Sequence, residues 1–332
     1  MFLQTPLGSP SVPPSAGSGG KLRESSSPGS GGIVKAMKAS IRPAYATGSV
    51  ISADGTTIGY RRYGHGPGVV LVHGGMQGAQ NFAKLALALA DSFTVYVPDR
   101  RGRGLSGPFG PRYGMDRECE DLGALLSQTG ASDVFGLSSG ALIVLRAALS
   151  NPSIRRAALY EPPFPVADLS LVGWASRFDE EVDRGDLASA LVTALKATGD
   201  PSIFTRLPRR VLTPPLRLAV WADRRRPAAG NDIPFAALIP TLHYDTTLVR
   251  EMEGKFDECR TIAAEVLLLG GSRSQPFLRA ALDSLAHAIP RAARVELPNV
   301  GHVAADNDGK PALVARELRR FFRSSDTARA AS

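Results

Sequence analysis

The stretch Asp133-Val-Phe-Gly-Leu-Ser-Ser-Gly140, followed by the apolar run Ala141-Leu-Ile-Val-Leu-Arg-Ala-Ala-Leu149, constrains this chain more than any other feature. It reads as a strand, a G-x-S-x-G pentapeptide and a helix, the pattern that sets a serine on a sharp strand-to-helix turn. A backbone forced into such a turn leaves no space for a Cβ two residues to either side of the serine. Gly136 and Gly140 supply that space. Ser138 then stands at a helix N-terminus, where the amide of Ser139 points at a developing negative charge. In a chain rich in Gly and Ser the pentapeptide also fits an ordinary turn, so its surroundings decide.

Those surroundings alternate. Val50-Ile51 and Ile58–Tyr63 flank Asp54-Gly55, a hairpin signal. Gly68–Val72 and Phe93–Val97 are continuous apolar runs, as expected of strands buried on both faces of a parallel sheet. Helical periodicity covers Phe82–Ala90 and Arg117–Gln128. Ala131–Leu137 and Arg156–Tyr160 read as strands on either side of the elbow helix. From Pro162 to about Thr261 no clear strand follows, only helix-like stretches such as Leu187–Leu195 and many prolines. Alternation resumes with strand Glu265–Leu269, helix Phe277–Ile289, strand Arg294–Leu297 and an amphipathic helix Pro311–Phe322. The expected fold is α/β, a mostly parallel sheet flanked by helices, with a helical cap inserted at about 162–261. Functional groups in such sheets gather at the carboxyl ends of the strands.

The 332 residues suit one large domain, expected over 44–325, with a flexible end at 326–332. Residues 1–43 are dominated by Pro, Gly and Ser and bury too little apolar surface to fold, so a disordered tail is expected. Its five bases against Glu24 account for half of the net charge of +8. A second basic cluster, Arg206, Arg209, Arg210, Arg217 and Arg224-Arg225-Arg226, lacks the interleaved aromatics of a nucleic-acid surface and reads as a solvated face of the insertion. Cys119 and Cys259 have no metal-like spacing and fit a reducing, cytoplasmic setting. No apolar run approaches a membrane span. No cofactor, metal, nucleic-acid or membrane partner is expected, and the oligomeric state is not readable.

His73-Gly74-Gly75 follows an early buried strand, and Asp99-Arg-Arg-Gly-Arg-Gly-Leu-Ser-Gly107 follows the next. With the elbow Gly136–Gly140 and with Gly301-His302 after the last strand, the chain over about 45–325 resembles the α/β-hydrolase family. The resemblance implies a serine hydrolase branch, because dehalogenases and epoxide hydrolases of this fold attack with an aspartate and position 138 is Ser. It makes Ser138 the nucleophile, His302 the base, and the amides of Gly75 and Ser139 the oxyanion hole, with Met76 and Gln77 at the pocket entrance. His73 is then structural, and His243, in the cap, at most touches substrate.

The acid departs from the commonest pattern. It usually follows the strand that ends here at Leu269, where this chain reads Gly270-Gly-Ser-Arg-Ser-Gln275 without a carboxylate; Asp283 lies inside the next helix. Some members, certain haloalkane dehalogenases among them, place the acid after the strand that follows the elbow helix. That site reads Ala158-Leu-Tyr-Glu161-Pro-Pro163, making Glu161 the leading candidate. Asp245, or a dyad without an acid, are the alternatives. The implied activity is cofactor-independent hydrolysis of a small-molecule acyl substrate, an ester, lactone or thioester. Acyl transfer or perhydrolysis on the same residues, or a slow or non-catalytic ligand receptor, are the rival readings.

Overall fold

A computed structural model describes residues 45–166, 171–198, 207–227 and 229–323. The expected tail at 1–43 and the chain end at 326–332 lie outside the described residues, as does Arg206. The strands are β1 (Ala46–Ile51), β2 (Thr57–Tyr63), β3 (Gly68–Val72), β4 (Thr94–Pro98), β5 (Asp133–Leu137), β6 (Arg156–Tyr160), β7 (Glu265–Gly271) and β8 (Ala292–Leu297). They form one eight-stranded sheet in the order β1-β2-β4-β3-β5-β6-β7-β8. The β1–β2 hairpin turns at Gly55, and the β1–β2 and β2–β4 pairs are antiparallel; all the others are parallel.

Side chains alternate across each strand, so each strand feeds two cores. Val70, Val72, Val134, Ala157, Leu159, Val266 and Leu268 pack on one face with α2 (Met115–Thr129), α3 (Ser139–Ser150) and α9 (Pro276–Ala288). Val69, Leu71, Phe135, Leu137, Ala158, Leu267 and Leu269 pack on the other with α1 (Ala83–Leu89) and α10 (Pro311–Arg323). Burial on both faces is why these strands read as unbroken apolar runs.

Between β6 and β7 the described residues contain helices and no strand: α4 (Ala175–Asp183), α5 (Leu187–Ala197), α6 (Arg209–Arg225), α7 (Phe235–Leu238) and α8 (Leu242–Glu251). They share a third apolar cluster built on Phe178, Leu187, Leu191, Val220, Ile239 and Leu242. Helix α6 runs through Pro214 and Pro215, which periodicity alone marks as breakers. Both prolines are exposed, as are Arg210 and Val211, whose carbonyls lose their helical donors on a face open to solvent. Among the described residues no helix is long and apolar enough to cross a membrane.

Register brings the functional loops together. Val72 pairs with Gly136, Leu137 with Tyr160, Tyr160 with Leu269 and Gly271 with Leu297. The residues just beyond β3, β5, β6 and β7 therefore line up along one edge of the sheet.

The elbow is the tightest point of this arrangement. A Cβ on Gly136 would lie 2.4 Å from the Gly140 carbonyl oxygen, and one on Gly140 2.4 Å from that of Val72. Backbone cannot yield as a flexible side chain would. Gly136→Ala is expected to lower stability by about 3 kcal/mol, the upper range for overpacking a core, measured by denaturant unfolding. A loss under about 0.5 kcal/mol would mean that the turn is looser than its geometry.

Candidate active site

Ser138 joins β5 to α3 at φ 55° and ψ −123°, outside the regions that side chains favour. Its amide donates to the Tyr160 carbonyl at 2.9 Å, and its own carbonyl accepts the amides of Ala141 and Leu142 in the first turn of α3. The strained turn lifts the hydroxyl off the sheet edge, where it meets His302 Nε2 at 3.0 Å. His302 lies in the loop between β8 and α10. The Tyr160 hydroxyl donates to the carbonyl of neighbouring Gly301 at 2.8 Å and holds that loop over the strands.

His302 Nδ1 lies 2.8 Å from Glu161 Oε2. Glu161 is fully buried, at φ 46°, directly after β6. Its other oxygen accepts the Gly271 amide at 2.6 Å, and its own amide donates to the Leu269 carbonyl at 3.0 Å. The carboxylate thus starts on β6 but sits over the end of β7, beside the two glycines where a carboxylate is absent from the sequence. A Cβ on Gly270 would come within 3.2 Å of Glu161 Oε1, so a small residue there leaves room for a carboxylate from the neighbouring strand. An ionised Glu161 accepts only, so Nδ1 carries the proton and Nε2 is left as an acceptor facing Ser138.

On the other side of the serine stands the loop after β3. A Cβ on Gly74 would lie 3.1 Å from Ser138 Cβ, which places Gly74-Gly75 against Ser138. The Ser139 amide, first in α3, has no carbonyl four residues back inside the helix and remains a donor. Gln77, expected at the pocket entrance, is instead buried and braces this loop. Its side-chain Oε1 accepts the Gly74 amide at 2.9 Å, and its Nε2 donates to Asp306 Oδ2 at 2.7 Å. Met76 packs into the apolar cluster of the inserted helices.

Asp245 does not meet His302. From α8 it reaches into a buried polar cluster beneath the loop. Its Oδ1 accepts the Ser139 hydroxyl at 2.7 Å and Arg100 Nη1 at 2.7 Å, and its Oδ2 accepts Arg103 Nη2 at 2.7 Å. Arg103 Nη1 also donates to the Gly74 carbonyl at 3.2 Å, and Arg100 is bonded to Glu118 at 2.7 Å. A Cβ on Gly75 would lie 3.0 Å from Leu242 and 3.2 Å from Asp245 Oδ2, so α8 closes over the loop.

Burial alone would push the Asp245 carboxyl up, but the Arg103 and Arg100 guanidiniums and the Ser139 hydroxyl together hold it below the ordinary range. Burial, with the same two arginines, holds His73 well below its usual value. His73 is therefore neutral, with Nε2 accepting the Arg100 amide at 3.2 Å and Nδ1–H donating to Gly74 O at 3.1 Å. Nothing in the spacing marks Asp245 as a partner of residues more than 100 positions away; only its place in an otherwise apolar helix face hints at a buried role. His243 pairs with Asp179 at 3.0 Å at the surface. Among the described residues no group of three His, Cys, Asp or Glu is placed to hold a metal ion.

The family model described as "alpha/beta hydrolase fold" matches residues 67–308. N-formylmaleamate deformylase of Pseudomonas putida is 36% identical over 125 residues, 36% of this chain and 46% of that protein. The match thus spans less than half the length of this curated relative. A solved α/β hydrolase from Sphaerobacter thermophilus shares 32% identity with a TM-score of 0.66, covering 83% of this chain and all of the other. The enol-lactonase of Burkholderia xenovorans superposes with a TM-score of 0.58 at 21% identity over 84% of this chain and 99% of its own, a likeness of fold.

Removing one carboxylate from a buried ion cluster strands the charges it faced. Asp245→Asn is expected to lower stability by about 3–5 kcal/mol at neutral pH. Because the folded carboxyl titrates below its unfolded value of 3.8, its contribution is complete above that pH and is lost as pH falls through the folded value. The gap between wild type and variant in urea unfolding should accordingly be widest at pH 7 and narrow below about pH 4. A gap that widens on acidification would contradict the assigned charge state.

Proposed function

The chain belongs to the α/β-hydrolase fold family, and on that premise we propose that it is a cofactor-independent serine hydrolase acting at the acyl carbon of an ester, lactone or thioester. One observation carries the proposal: a continuous relay from buried Glu161 through His302 to the strained hydroxyl of Ser138, with contacts of 2.8 and 3.0 Å. In the proposed mechanism His302 Nε2 takes the Ser138 proton as Oγ attacks the acyl carbon. Glu161 fixes the tautomer and stabilises the imidazolium that forms. The amides of Ser139 and Gly75 receive the oxyanion. Collapse of the tetrahedral intermediate expels the alcohol or thiol, which takes its proton from His302. Water then gives a proton to His302 as it attacks the acyl-enzyme, and collapse of the second intermediate releases the acid product as Ser138 Oγ takes that proton back from His302.

The His302 side chain is 34% exposed, which gives water a path to the proposed acyl-enzyme. The deformylase among the relatives cleaves a formyl group by its name, so amide-like acyl groups lie within the range of substrates to test. The helices between β6 and β7 are read as a cap that sets substrate choice, since Leu242 and Met76 join their apolar cluster beside the oxyanion loop. Cys119 and Cys259 are both unpaired, in keeping with a cytoplasmic setting.

Reaction with a fluorophosphonate followed by peptide mass spectrometry should label Ser138, and heat-unfolded protein should not react. Glu161→Gln should lower kcat on a p-nitrophenyl ester on the order of 10⁴-fold while the protein stays folded, the scale of losing the acid of such a relay. A folded protein that does not label would favour the ligand-receptor reading. Labelling that Glu161→Gln leaves untouched would remove Glu161 from the relay.

A further inference from the structure

Eight large apolar side chains are conspicuously exposed among the described residues, and five of them share one place: Leu207 at 39%, Val211 at 50%, Leu218 at 66%, Trp221 at 52% and Phe235 at 42%. Three of these, Val211, Leu218 and Trp221, follow one another along α6 at spacings of seven and three, which is one face of a helix, and Leu207 stands just before its N-cap, Pro208. The opposite face, with Leu212 and Val220, is buried against the inserted helices. Helix α6 is therefore apolar inward and apolar again outward. Its borders are basic: Arg210, Arg217, Arg224, Arg225 and Arg226 are all exposed. The guanidinium of Arg225 lies 3.9 Å from the centre of the Trp221 ring. Between Leu207 and Arg226 the one acid is Asp223, whose carboxylate is engaged by the Ala236 amide at 2.7 Å.

We propose that α6 docks this protein onto an anionic lipid surface, with Leu218 and Trp221 entering the headgroup boundary and the arginines meeting the lipid phosphates. An amphipathic helix with Trp and Leu on its outer face, flanked by Arg, has the composition of an interfacial anchor. The charge pattern disfavours a second copy of the chain as the occupant. Bases stand at both ends and in the middle of α6, so pairing two copies in either direction sets Arg against Arg. The shape disfavours a bound peptide, because side chains exposed by half to two thirds form a ridge and peptides are received in grooves. Beside the ridge lies a cavity of about 430 Å³ lined by Val182, Leu187, Pro234, Ala236 and Pro240, with Arg224 the charged side chain at its wall. Apolar walls with one guanidinium suit an amphiphile with an anionic head. In the linear chain these arginines look like a solvated face with no membrane role; the exposed apolar face between them appears only once the chain is folded.

The test is independent of catalysis. The full chain is sedimented with vesicles of phosphatidylcholine alone and of phosphatidylcholine mixed with phosphatidylglycerol. Binding is expected to the anionic vesicles only, with a blue shift of tryptophan emission that Trp221→Phe removes. It should be lost at about 0.5 M salt, where charges are screened within a few ångströms. Replacing Arg224, Arg225 and Arg226 by Gln should weaken partitioning on the order of 100-fold, and the pair Leu218→Glu and Trp221→Glu should abolish it. These side chains are exposed, and an unchanged melting temperature will show that the variants fold. No binding to anionic vesicles at low salt would overturn the proposal, as would equal binding to both kinds of vesicle. Self-association in sedimentation velocity that Leu218→Glu abolishes, without vesicle binding, would assign the face to a second copy instead.

Discussion

Ser138 is held at φ 55°, a conformation that costs a non-glycine residue about 1–3 kcal/mol, and the structure around it is arranged to keep it there. Its amide is tied to the carbonyl of Tyr160 on the next strand, and its carbonyl starts α3. Gly136 and Gly140 let the two arms of the turn close to backbone contact. The same strand register that fixes Ser138 sets Glu161 beside it and Gly270-Gly271 beside Glu161. The Glu161 carboxylate lies over the end of β7 although it begins on β6. Two adjacent strands of a parallel sheet offer their carboxyl ends to the same volume, and a carboxylate can reach it from either.

The second organising element is electrostatic. Three arginines lie within four residues, Arg100, Arg101 and Arg103, and all three are buried. Each has a carboxylate partner drawn from elsewhere. Arg101 joins Asp54 of the hairpin turn and Asp121 of α2, and Arg100 joins Glu118 of α2. Arg100 and Arg103 share Asp245 of α8. One loop after β4 thereby links the antiparallel edge, the core helix and the insertion. Asp245 carries that linkage to the Ser139 hydroxyl, and Arg103 carries it to the Gly74 carbonyl. Buried charges of this kind add little net stability over apolar packing, but leaving one unpaired is costly, so the cluster fixes where the insertion sits relative to the elbow.

The elements of the sheet domain were legible because buried parallel strands and the elbow leave local marks: unbroken apolar runs bounded by Gly or Pro, Asp54-Gly55 at a turn, Gly136 and Gly140 around Ser138. The positions of the candidate site residues followed from chain order after strands. Their interactions did not. Chain order does not display the bond from Gly271 to Glu161, or the brace that Gln77 makes. It also conceals the pairing of Asp245 with residues on a loop more than 140 positions earlier. Arg100, Arg101 and Arg103 stand in a segment that carries the family resemblance, but only tertiary structure supplies their partners. Helix α6 was obscured for a different reason: Pro214-Pro215 removes two helical donors and crowds the preceding turn, so it reads as a break, yet the helix continues through it.

The joint action of Ser138, His302 and Glu161 with the amides of Gly75 and Ser139 is tested most directly by a crystal structure of the protein after reaction with a fluorophosphonate. The adduct is expected on Ser138 Oγ, with the phosphonyl oxygen about 2.7–3.1 Å from both amides, the spacing of an oxyanion donor pair. His302 should remain bonded to Glu161. A phosphonyl oxygen turned toward solvent, or a His302 ring that has left Glu161 for another carboxylate, would contradict the assignment.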